Sequence, residues 1–284
     1  MDFEFSEHHE LLRASVRRFL AELAPTAYVR ALLDDERGTT DDVWAGLAEL
    51  GVTGLLVPEA YGGAGGGMVD MAVVLEELGR AAHPGPFAPS AVGSVSLVNR
   101  AGSDDDRADL LPGLASGETI GSVALDGATE TSAVEAEGVW KLTGTKVHVP
   151  DAVAADVVVV TATSSDGELG AFVIERDAPC VEVAAVPTVD ATRKFARMTL
   201  ADAPAVRLGA GDATNAVAET ADRVVVAAVV DGVGAASRAL EMAVDYAKER
   251  RQFDRPIGSF QAVQHLCADM LRAVELARAG AYYA

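Results

Sequence analysis

Residues 246–270 read YAKERRQFDRPIGSFQAVQHLCADM. Two helical patterns meet at the short break DRPIG. Arg250, Arg251, Phe253, Gln261, Gln264 and His265 cluster around that break. A helical hairpin needs only apolar seams. Polar groups concentrated at its corner therefore ask for a reason beyond packing.

Upstream of the corner, AVAETADRVVVAAVVDGVGAASRALEMAVDYAKER reads as one long helix from about residue 213, apolar almost all round and so expected to be buried. Downstream, Ser259 is placed to cap a second helix. Phe260, Val263, Cys267, Met270, Val274 and Ala277 form its core stripe, with Gln261, His265, Arg272 and Glu275 on the polar face. Before this helical region, residues 118–206 carry seven short β-rich runs punctuated by Gly, Asp and Pro. They are TIGSVAL, SAVEAEG, VWKLTGTKVHV, DVVVVTA, GAFVIER, VEVAAVP and ARMTLAD, a pattern that predicts an antiparallel barrel or sandwich. Residues 1–117 are helical again, with Ser6 and Thr40 as expected caps. The expected class is α+β: an N-terminal helical domain (1–117), a central antiparallel β-domain (118–206) and an incomplete C-terminal helical bundle (207–284).

The chain has 284 residues, half of them hydrophobic, which suffices for a sizeable core and excludes disorder. A net charge of −20 argues against nucleic acid and anionic membranes, and otherwise serves solubility. Cys180 and Cys267 lie far apart and form no metal pattern or disulfide framework, which suits a reducing cytoplasm. The acidic start MDFEFSEHHE lacks the apolar core of a signal peptide. The apolar run Val224–Ala236 is interrupted by Asp231 and falls short of the ~20 residues a membrane span needs.

Two glycine patterns invite other readings. GGAGGG at 62–67 lacks the Gly-Lys-Ser/Thr of a phosphate loop. VVVAAVVDGVGAAS at 224–237 imitates a dinucleotide fingerprint, with Ser237 at the third glycine, and would make the chain an NAD-dependent enzyme. No further βα units follow it, and small residues permitting close helix packing explain it as well. The five histidines are scattered, so no metal site is expected.

The corner motif resembles the signature of the acyl-CoA dehydrogenase family, Y-x-x-x-R-x-x-F-G-x-x-I-x-x-x-Q, in order and spacing. LGVTGLLVPEAYGGAGG, VVLEELGRAAHPGPF, EGVWKLTGTKVHVPDAVAADVVVVTA and DATRKFARMTLADAPAVRLG resemble other family segments in the right order, so the likeness spans nearly the whole chain. The resemblance implies FAD as cofactor and an acyl-CoA thioester as substrate, in fatty acid or steroid catabolism. It implies α-proton abstraction by a carboxylate, with hydride transfer from the β-carbon to flavin N5 and electrons passing on to an electron-transfer flavoprotein. It also implies that Arg250 and Gln261 reach a neighbouring subunit's FAD, with Phe253 beside its adenine end.

Three departures from the family pattern stand out. A flavin-contacting stretch A-L-T-E-P-x-x-G-S-D reads here Ala124, Leu125, Asp126, Gly127, Ala128, Thr129, so Asp126 replaces a threonine hydroxyl. Lys146 is followed by Val147, His148, Val149 and Pro150 without the Ser/Thr that approaches flavin N5. The sequence given ends at AGAYYA, before the glycine-rich segment and the usual catalytic carboxylate of relatives. On the resemblance, Leu125, Asp126, Val147 and His148 are expected at the flavin. Asp222-Arg223 imitates the Glu-Arg pair that some relatives use as base, yet counting back from Tyr246 places that pair on Val224 and Val225. A two-residue offset turns a helix by about 200°, so the base is expected outside residues 1–284 and the chain alone is expected to lack turnover. The alternative is a flavin-poor, non-catalytic subunit that completes a partner's FAD site in a homo- or hetero-oligomer.

Overall fold

The computed structural model describes residues 5–125 and 131–284. The elements run in the order helices, sheet, helices. Helix α1 (Glu7–Leu23) starts at Ser6, whose hydroxyl accepts from the His9 amide while the Ser6 amide donates to His9 Nδ1. This reciprocal cap satisfies two orphan donors. Helices α2 (Thr26–Ala31), α3 (Asp41–Glu49) and α4 (Met68–Arg80) follow. Thr40 precedes α3 without a side-chain capping bond. A buried π-helical turn (Ala88–Ser94) leads into α5 (Val95–Ala101), and α6 (Asp104–Ser116) closes the helical run.

Seven strands form a predominantly antiparallel sheet: β1 (Gly121–Ala124), β2 (Ser132–Ala136), β3 (Val139–Pro150), β4 (Val157–Ser164), β5 (Leu169–Glu175), β6 (Val181–Val186) and β7 (Phe195–Arg207). Strand β4 pairs β5 along one edge and both β1 and β2, in parallel, along the other. Pairings β2–β3, β3–β7 and β7–β5 then close a ring. Closure removes exposed strand edges. It also explains the unbroken apolar run of β4, whose Val158–Ala162 are buried: covered on both faces, the strand has no reason to alternate. Small residues (Ala124, Ala133, Ala162, Ala196, Ala203) share that core with Leu142, Phe172, Ile174 and Met198.

After the sheet come α7 (Thr214–Glu249), a two-stranded ribbon of β8 (Arg251–Gln252) and β9 (Arg255–Pro256), and α8 (Gln261–Tyr283). The ribbon and a 3₁₀ turn, Ile257–Ser259, separate the two helices. Phe260, not Ser259, occupies the cap position of α8, and Ser259 Oγ instead donates to the Pro256 carbonyl. Among the described residues no helix is long and apolar enough to cross a membrane, and no cluster of His, Cys, Asp and Glu could hold a metal ion.

Packing gathers the chain into two compact units. One contains residues 27–71 and 84–225, with the sheet; the other contains 1–26, 72–83 and 226–284 and is helical. In the helical unit, α4 and α7 cross at glycines. A Cβ on Gly79 would lie 1.9 Å from the Asp231 carbonyl oxygen, and one on Gly234 would lie 2.0 Å from that of Glu76. The glycine pattern at 232–237 therefore belongs to a helix crossing. All of Val224–Ser237 lies inside α7, so the apolar run ahead of the glycines is helix and not strand, which overturns the dinucleotide-fingerprint reading and the NAD-dependent enzyme it suggested. The glycines at 62–67 likewise serve the fold: Ala64, Gly65 and Gly66 donate their amides to Gly54, Val57 and Leu55 carbonyls.

The crossing buries Glu77, which accepts two bonds of 2.7 Å from Arg17, and Glu76, which accepts from Arg278 Nε (2.9 Å) and Tyr282 Oη (2.8 Å). Helix α7 is less buried than its composition predicts. Val229, Met242 and Tyr246 on α7 and Leu266, Leu271 and Leu276 on α8 stay exposed, since one chain supplies neighbours for only part of each apolar surface.

Gly234→Ala should destabilise the fold by roughly 1–3 kcal/mol through overpacking, although alanine normally gains ~1 kcal/mol over glycine in a helix. Gly232, which has open space at its missing Cβ, should show that gain instead. Urea denaturation of the two variants, measured side by side, checks the opposite signs.

Candidate functional site

The corner between α7 and α8 is built by backbone first. Arg250 donates its amide to the Tyr246 carbonyl (2.8 Å) and accepts from the Ile257 amide (2.7 Å), which fixes the residue on both sides. The β8–β9 ribbon turns through Phe253 (φ 53°) and Asp254 (φ 60°), both left-handed, as a two-residue hairpin of this type requires. Glycine would adopt this conformation freely and aspartate tolerates it; phenylalanine is strained there. Phe253 is 87% exposed and meets the Phe260 ring edge-on at 6.1 Å. Arg255 lies over the other aromatic, 4.1 Å from the Phe260 centroid. Gln264 Nε2 donates to the Gly258 carbonyl at 3.0 Å, so its amide ties the corner together. Arg251 does the same through the Asp254 carbonyl.

Three side chains are left over, Arg250, Gln261 and His265, and the first two matter most. Arg250 and Gln261 are exposed, and among the described residues neither makes a side-chain hydrogen bond or ion pair. A planar guanidinium fork beside an amide, both free, fits a diphosphate, because charge-assisted and bidentate donation suits phosphate oxygens. His265, also exposed, lies on the first turns of α8.

In the sheet-bearing unit the expected flavin contacts among the described residues lie just past β1 and on β3. The β3–β7 register passes from Lys146↔Met198 to Val149↔Ala196, so β3 holds one extra residue. Val147 and His148 consequently both face outward, while Lys146 and Val149 stay buried. A bulge of this kind re-aims side chains. It presents a valine and an imidazole where the family pattern leads up to a hydroxyl, and Pro150 supplies neither hydroxyl nor amide proton. Leu125, half-buried, is the first residue past β1. Asp126 lies outside the described residues.

Asp222 is exposed on α7, and the neighbouring Arg223 donates to Ser96 Oγ at 3.3 Å. Val224 and Val225, to which the count back from Tyr246 leads, follow on the same helix, Val224 half-buried and Val225 exposed. Glu241, another acid of α7, is held by Arg80 and Arg238, and the Arg80 bonds keep its carboxyl below the ordinary range.

Two buried groups escaped the sequence reading. Lys146 is fully buried, and its inward place in the β3 alternation with Leu142 was the available signal. Asp151 follows Pro150 at φ 47°, is buried, and leaves Oδ1 without a hydrogen-bond partner. Burial raises its pKa to about 7, with Arg193 and Lys194 opposing. The folded chain therefore keeps this proton longer than the unfolded chain. Stability from Asp151 is greatest below pH ~4 and declines as pH rises to about 7. The loss by pH 8 is on the order of 4 kcal/mol. Asp151→Asn should flatten the fall in melting temperature between pH 5 and 8 and exceed the parent at pH 8. A parallel profile would contradict the assignment.

Comparison with known proteins identifies the family. The family model for the acyl-CoA dehydrogenase N-terminal domain matches residues 6–118, and that for the C-terminal domain matches 196–284. Acyl-CoA dehydrogenase IpdE2 of Mycobacterium tuberculosis is 32% identical over 275 residues, covering 96% of this chain and 74% of that protein. A variant of the Tcur3481-Tcur3483 steroid ACAD superposes with a TM-score of 0.86 at 34% identity, over 98% of this chain and 76% of the other. Glutaryl-coenzyme A dehydrogenase in its glutaryl-CoA complex gives 0.92 at 28% identity, over 100% and 77%. Two family models covering both ends of the chain, and relatives aligned over nearly all of it, make the conclusion plain: the chain belongs to the acyl-CoA dehydrogenase family.

Proposed function

We propose that this FAD-dependent oxidoreductase dehydrogenates the α,β-bond of an acyl-CoA thioester and that Arg250 and Gln261 hold the FAD of a neighbouring protomer. The unpartnered Arg250 guanidinium and Gln261 amide at the α7–α8 corner carry this reading. The Arg250 fork would take the diphosphate, the Gln261 amide a second oxygen, and the exposed Phe253 ring would lie against the adenine end. Leu125, Val147 and His148 would line the flavin ring from the sheet. FAD, when bound, accepts the hydride. The likeness to a steroid ACAD supports a bulky acyl group as substrate.

Asp222 and Glu241 on α7 are poorly placed to act as the base, and Asp222 stays a weak candidate. Asp222 faces solvent, the family positions hold valines, and Glu241 is neutralised by two arginines. We therefore place the α-proton base outside residues 1–284, on a partner or another segment. We retain 1–117, 118–206 and 207–284 as the domain division. We place the protein in the cytoplasm, working with an electron-transfer flavoprotein. The uncovered apolar side chains of α7 and α8 support a homo- or hetero-oligomer. The stretch from Val147 to Pro150 favours one further reading, that of a flavin-poor subunit: none of its residues carries the hydroxyl that the family pattern offers to its own flavin.

Arg250→Ala should lower flavin occupancy of the assembled oligomer while circular dichroism and melting stay as in the parent; equal occupancy would refute the diphosphate role. Asp222→Asn should leave turnover of the assembled enzyme on straight-chain and steroid acyl-CoA substrates unchanged. Abolished turnover with FAD still bound would make Asp222 the base.

A further inference from the structure

A lysine with no exposed surface stands inside the sheet-bearing unit. Burying an ammonium group costs several kcal/mol unless partners offset it. A leucine or methionine would fill the same inward position of β3 without that cost. The geometry around Lys146 shows what the charge does there. Its Nζ donates to Thr161 Oγ1 at 3.3 Å. An ammonium has only protons to give, so the threonine oxygen accepts and its own proton points elsewhere. Thr161 Oγ1 lies 3.2 Å from the Ala124 carbonyl oxygen and 3.2 Å from that of Leu125.

Those two carbonyls mark the end of β1. The parallel ladder between β1 and β4 runs Gly121↔Val157 to Ala124↔Val160 and stops. Thr161 is the next residue of β4, buried like Lys146, and its side chain takes over where the backbone ladder ends. A hydroxyl that accepts from a cation is a stronger donor than one that does not. The charge thus tightens the grip on Ala124 and Leu125.

We propose that Lys146 is a positioning residue: acting through Thr161, it fixes the end of β1 and so sets Leu125 against the cofactor. This rests on the FAD reading above.

The test uses the full assembled protein. Thr161→Val removes the relay and keeps the shape; Thr161→Ser keeps the hydroxyl; Lys146→Met removes the charge at similar volume. Flavin titration, the flavin absorption spectrum and amide exchange at residues 121–125 are measured for each. Thr161→Val and Lys146→Met should weaken FAD binding about tenfold, the loss of roughly one hydrogen bond to a charged network. They should shift the flavin spectrum and speed exchange at 121–125, while Thr161→Ser stays at parental values. Parental affinity and spectrum in Thr161→Val would overturn the proposal. If Lys146→Met fails to fold, the Val/Ser contrast at 161 decides alone. A parent that holds no flavin would refute the FAD reading separately; exchange at 121–125 would then decide, and no change in Thr161→Val would overturn the relay.

Discussion

The helical unit depends on how closely α4 and α7 approach one another. At Gly79 and Gly234 each backbone presses into the other's carbonyls, at distances no side chain could share. That approach is what permits Glu76 and Glu77 to sit buried, because arginines from α1 and α8 can then reach them. Two buried carboxylates without those arginines would be far costlier than two leucines. With them, one crossing fastens four helices. The corner that carries Arg250 is the far end of the same α7, so its direction is inherited from a contact between backbones.

In the sheet the organising constraint is closure. β4 must serve three neighbours, and its continuous apolar run follows from that. The price of closure is local irregularity: the extra residue in β3 falls at Val147–His148. The same strand therefore provides a buried cation at Lys146 and two exposed side chains directly after it. Alternation alone would have put Val147 and His148 on opposite faces.

Much of this could be read from the residues. The seven strands follow from β-branched runs between turn formers, and α7 and α8 follow from apolar spacing on either side of DRPIG. The packing role of Gly234 is one of two open readings of its glycine pattern, settled by the Glu76 carbonyl lying where a side chain would go. Burial was harder to read. Composition predicts a buried α7, but Met242 and Tyr246 are exposed because burial depends on neighbours, which periodicity does not specify. Asp151 and Lys146 were hidden for a related reason. The charged letter of Lys146 looks like surface until the register shows which way it points, and Asp151 sits in the turn just past that strand, where a charge is equally expected to be exposed. The Ser259 cap failed because the 3₁₀ turn uses that hydroxyl one step earlier.

The left-handed pair Phe253-Asp254 has a consequence for how the protein behaves when it stands alone. Three arginines flank a two-residue turn that puts an exposed aromatic in an unfavourable conformation. Such a turn opens readily, and open, exposed turns are where proteases cut. Trypsin-like and chymotrypsin-like enzymes would both find their preferred side chains there. Nicking between α7 and α8 would separate the helices that flank Arg250 without touching the sheet. Cleavage at this turn thus reports, from a gel alone, whether the corner is covered.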